Sequence, residues 1–79
     1  MARIGAVIVI IGEDGDIHRI NAIISDHADM ILGRQGIPLR ERSVNVISLV
    51  LEGNTDQIGS LTGKLGRMPG VKVKSVLAG

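Results

Sequence analysis

Val44-Asn45-Val46-Ile47-Ser48-Leu49-Val50-Leu51-Glu52 decides the fold. The run is rich in β-branched and aliphatic residues, so it reads as a strand. Alternate residues of a strand point to opposite faces. Here both faces are apolar: Val44, Val46 and Val50 against Ile47, Leu49 and Leu51. Ile4–Ile11 repeats the pattern, with Ile4, Ala6, Ile8 and Ile10 against Val7, Val9 and Ile11. A strand that is apolar on both sides is covered on both sides.

The residues around these strands supply the other elements. Gly12-Glu13-Asp14-Gly15 is a loop, and Asp14 or Asp16 suits the N-terminus of a helix. Ile17, Ile20, Ile24 and Ala28 then recur at helical spacing, which predicts a first helix from about Gly15 to Ala28. Met30–Leu39 is extended but broken by Gly33, Gly36 and Pro38, the pattern of a bulged or edge strand. The short polar turn Arg40-Glu41-Arg42-Ser43 joins it to Val44–Glu52 as an antiparallel hairpin. Asn54, Thr55 and Asp56 offer caps for a second helix with Ile58, Leu61, Leu65 and Met68 on one stripe. Gly63 on that helix suggests close packing against the sheet or another helix. Met68-Pro69-Gly70-Val71 fits a type II turn, and Val71–Leu77 is the last strand.

The order β-α-β-β-α-β predicts an α+β, ferredoxin-like fold: a four-stranded antiparallel sheet with two helices on one face. The 79 residues allow one domain, spanning 1–79. Two helices cover one face only, yet the central strands are aliphatic on both. Soluble proteins rarely expose such a patch, so a homodimer or homotetramer pairing through the sheet is expected.

Composition narrows the chemistry. Phe, Tyr and Trp are absent, which removes the stacking platforms of single-strand nucleic-acid binders. Cys is absent, which excludes thiolate metal sites and thiol nucleophiles. Net charge is +1, but residues 1–33 sum to −3 and residues 34–79 to +4. Such a dipolar chain suits self-association or anion capture and lacks the concentrated basic face of a duplex-DNA binder. The apolar run after Ile4 is too short to cross a bilayer and lacks a cleavage pattern, so no membrane partner and a cytoplasmic location are expected.

No catalytic constellation is legible. His18 and His27 lie on roughly opposite sides of one predicted helix, so neither a metal nor another cofactor is expected. Glu13, Asp14 and Asp16 read first as helix-capping carboxylates. Gly59-Ser60-Leu61-Thr62-Gly63-Lys64-Leu65-Gly66 falls one residue short of a phosphate-binding loop, has Leu65 where Ser or Thr belongs, and lies within a helix. Gly12-Glu13-Asp14-Gly15 is the better ligand candidate, because a glycine turn feeding a helix presents backbone N–H groups to an anion.

The order of elements resembles ACT-type domains, small regulatory modules that pair through their sheets and bind effectors between subunits. Glu13-Asp14, the run from Asp29 to Glu41 (DMILGRQGIPLRE), Ile58–Gly66 (IGSLTGKLG) and Pro69–Lys74 (PGVKVK) resemble the iron-only hydrogenase system regulator family, short stand-alone ACT-like proteins. The likeness runs from about Ile8 to Val76. It implies a non-enzymatic regulator acting on a small effector or a partner protein. The sheet is also similar to that of nickel-responsive repressors, but this chain lacks their Cys ligand and their DNA-binding arm. Carried onto this chain, the ACT effector crevice falls at Gly12, Glu13, Asp14 and Gly15, facing Gly33, Arg34, Gln35 and Gly36 of another copy. Arg34 or Arg40 would pair with an effector carboxylate, such as that of an amino acid. The alternative is an interaction subunit, without a small ligand, of a larger enzyme or maturation factor.

Overall fold

A computed structural model describes residues 2–78. The strands are β1 (Arg3–Ile11), β2 (Ile31–Leu39), β3 (Val44–Gly53) and β4 (Val71–Ala78), and the helices are α1 (Ile17–Asp26) and α2 (Thr55–Gly66). Strand order across the sheet is β2-β3-β1-β4, antiparallel throughout. This is the predicted βαββαβ arrangement. The two strands with apolar residues on both faces, β1 and β3, are the central pair.

Both helices lie on one face. Beneath them Val7, Val9 and Ile11 of β1 and Ile47, Leu49 and Leu51 of β3 are buried. They meet Ile20 and Ile24 of α1 and Ile58, Leu61 and Leu65 of α2. Burying each such side chain contributes about 1.5–3 kcal/mol, so this layer holds the fold together.

Local chemistry sets the ends of the helices. Asp16 starts α1 by accepting a hydrogen bond at Oδ1 from the Arg19 amide, 3.1 Å away. The helix is shorter than its apolar spacing suggests, stopping at Asp26. His27 leaves helical geometry, its Nδ1 donates to the Ile23 carbonyl at 2.8 Å, and the chain tightens into a 3-10 turn over Ala28–Met30. Strand β2 therefore begins at Ile31, one residue later than expected. Asn54 and Gln57 form a reciprocal capping box on α2.

Strand β2 is the predicted edge strand, and its bulge lies between Ile31 and Gly33. A 3-10 turn over Arg40–Arg42 and a left-handed Ser43 (φ 54°) close the hairpin to β3. Gly70 takes the positive φ (73°) that the type II turn required. Gly63 departs from expectation: a Cβ there would meet only the Arg67 guanidinium at 3.7 Å, so no close packing requires it.

Candidate functional site

The loop after β1 is tightly held. The Gly12 amide donates to the Gly70 carbonyl at 2.8 Å, and the Gly15 amide donates to the Gly12 carbonyl at 3.0 Å. Glycine is required twice. A Cβ on Gly15 would collide with Cγ2 of Ile11, and a Cβ on Gly70 would sit 2.9 Å from the Gly15 nitrogen. Two of the loop's amides are thus already engaged and not free to bind an anion. Of the three loop carboxylates, Asp16 caps α1, while Glu13 and Asp14 are exposed.

The second half of the predicted crevice lies on β2. Arg34 faces the helices, and its Nη2 donates to Oδ1 of Asn21 on α1 at 2.7 Å. The pair borders a groove between α1 and the edge strand, lined also by Ile17, Gly36, Pro38 and Asn45. Gln35 faces the other way, opposite Ser48 of β3. A Cβ on Gly33 or Gly36 would meet nothing within 4 Å. Arg40 lies in the β2–β3 hairpin, at the same end of the sheet as the Gly12 loop.

Within one chain β3 separates the Gly12–Gly15 loop from Gly33–Gly36. Two participants were not anticipated. Asn21 carried no signal in the sequence. The sequence marks Gly70 as a turn residue, and the β1–β4 pairing brings it to Gly15. Among the described residues no group of three His, Cys, Asp or Glu is placed to hold a metal ion, and no helix is long and apolar enough to cross a membrane.

The face away from the helices is the most prominent feature of the surface. Ile4, Ile8 and Ile10 of β1, Val50 of β3, Val76 of β4, and Ile37 and Leu39 of β2 all lie there in register. Val76 is 70% exposed and Ile4 52%. Glu52, Lys72, Lys74 and Gln35 lie around them.

Four antiparallel strands backed by two helices in this order place the molecule among ACT-like, ferredoxin-like domains. Similarity to the ACT domain of the GTP pyrophosphokinase of Chlorobium tepidum supports this, with a TM-score of 0.76 and 22% identity over 96% of this chain and 100% of that one. The C-terminal domain of the MgtC protein from Mycobacterium tuberculosis shares the fold, with a TM-score of 0.70 and 17% identity over 96% of this chain and 87% of that one. The chain belongs to the TM1266-like family, described as "Iron-only hydrogenase system regulator, putative", whose model matches residues 3–75. It is similar to the uncharacterized protein TM1266 from Thermotoga maritima, with a TM-score of 0.95 and 32% identity over the full length of both chains. No curated protein matches it.

Proposed function

We propose that the chain is a regulatory, non-catalytic module of an iron-only hydrogenase system, working in the cytoplasm as a homo-oligomer. Copies pair through the face of the sheet that the helices leave bare. One observation carries this reading: the large exposed aliphatic residues gather on that face, where a lone protomer leaves them in water. A second copy would supply the missing layer, as sheets do when they pack face to face about 10 Å apart. Light scattering on a sizing column at micromolar concentration tests it. A mass of at least two chains is expected, and a mass of one chain would remove the reading.

The subunit boundary is also the place for an effector. Gly12, Glu13, Asp14 and Gly15 of one copy and Gly33, Arg34, Gln35, Gly36 and Arg40 of another would frame a small carboxylate or an amino acid. Arg40, at the hairpin end of the sheet, would supply the charge-assisted bonds, since Arg34 lies on the helix side and is held by Asn21. A thermal-shift panel of amino acids and small carboxylates tests this, because a true ligand raises the melting point in step with its concentration. The engaged amides of Gly12 and Gly15 favour the second reading, an interaction subunit with no small ligand. In that case the panel is silent and a partner protein binds the module instead.

A further inference from the structure

We infer that two copies stack bare face to bare face with their β1 strands antiparallel and the two-fold axis passing at Ile8. This orientation rests on the sheet-face pairing proposed above. The argument is one of shape. A two-fold interface must be self-complementary, so that if residue i meets residue j, then j meets i. Along β1 the outward positions read Ile4, Ala6, Ile8, Ile10, and then Gly12 just beyond the strand. Reversed about Ile8, that series sets Ile4 over Gly12 and Ala6 over Ile10, a large residue on a small one in both pairs, with Ile8 over its own copy at the axis.

The neighbouring strands keep the same centre. Lys74, Ile8, Ser48 and Gln35 lie in one row across the sheet, because Ile8 pairs with both Ser48 and Lys74 and Gln35 pairs with Ser48. Reversal about that row sets Gly33 of β2 over Ile37, again small on large, and Val46 of β3 over Val50. The notch that Ile4 would fill is present: Ile10, Gly12, Val44, Gly70 and Lys72 line a shallow concavity at that corner of the face. The opposite orientation, with β1 parallel to β1, sets isoleucine over isoleucine at positions 4 and 10 and leaves holes at positions 6 and 12.

Charge agrees with shape. Glu52 is exposed near the end of β3, and Arg40 and Arg42 occupy the hairpin at its other end. Antiparallel stacking brings Glu52 of each copy toward the hairpin arginines of the other. On β4 the same reversal sets Lys74 over Lys74; both lie on an edge strand, so their flexible stems carry the two ammonium groups apart to the rim.

A size exchange tests the orientation. Ala6→Ile and Ile10→Ala each raise the dimer dissociation constant about tenfold or more in analytical ultracentrifugation, and the double variant returns to within about threefold of the starting chain. Both positions are exposed in the protomer, and thermal unfolding checks that the variants fold. Cysteine linkage gives an independent measurement, since the chain has no Cys. A short bismaleimide, long enough to span the gap between facing sheets, links Ile8→Cys to itself, does not link Ile4→Cys to itself, and links Ile4→Cys to Gly12→Cys when the two are mixed. Self-linkage of Ile4→Cys, or a double variant as weak as the two singles combined, overturns the orientation while leaving the sheet-face pairing standing. Single variants Ala6→Ile and Ile10→Ala that each dimerise as tightly as the starting chain overturn the sheet-face pairing itself.

Discussion

Strand β1 carries two aliphatic faces with different fates. Val7 and Val9 are fully buried under the helices, whereas Ile8 and Ile10, their immediate neighbours, are 39% and 40% exposed. Composition does not separate the two sets. What separates them is which side the crossover helices occupy. One face is the interior of a protomer, and the other is an interior only if a second molecule completes it. The same residue type is therefore expected to act on different equilibria depending on its parity.

Substitutions can break that contrast. The largest effect is expected from Leu49→Ala, on the buried side of β3. Removing a fully buried leucine costs about 2–5 kcal/mol, measurable by urea unfolding. Val50→Ala, one residue along on the bare side, is expected to change protomer unfolding by less than about 0.5 kcal/mol in dilute solution. It should weaken self-association instead, seen by ultracentrifugation. Equal effects of the two on unfolding would erase the distinction between the faces.

Glycines sharpen the contrast on a smaller scale. Gly70→Ala places a Cβ at positive φ and against the Gly15 amide, so a loss of about 1–3 kcal/mol is expected in thermal unfolding. Asn54→Ala removes half of the capping box and should cost about 1 kcal/mol in the same assay. Gly59→Ala, in open space on α2, should stabilise the protomer by about 0.5–1 kcal/mol. A loss at Gly59 would show that something packs against that side of α2.

Most of the fold was legible because aliphatic spacing is a strong signal: Val44–Glu52 is a short aliphatic run between polar turns, and Ile58, Leu61 and Leu65 recur at helical intervals. Less visible was which face of β1 lies inward, since isoleucine and valine suit either side. The candidate site was harder still. In β2 the bulge near Leu32 breaks the alternation, so parity could not tell Arg34, which reaches Asn21, from Gln35, which faces away. The end of α1 was overrun because Ala28 continues the apolar stripe, whereas His27 turns the chain before it. The junction of Gly15 with Gly70 joins residues far apart in the chain, and no local pattern announces it.

That junction has a mechanical consequence. Main chain meets main chain where Gly12 donates to Gly70, so the grip does not depend on any rotamer. A pull on the acidic loop would be felt at once at the start of β4, with Lys72 as its first charged passenger. Amide exchange should report it, the Gly12 proton leaving only when both segments let go together.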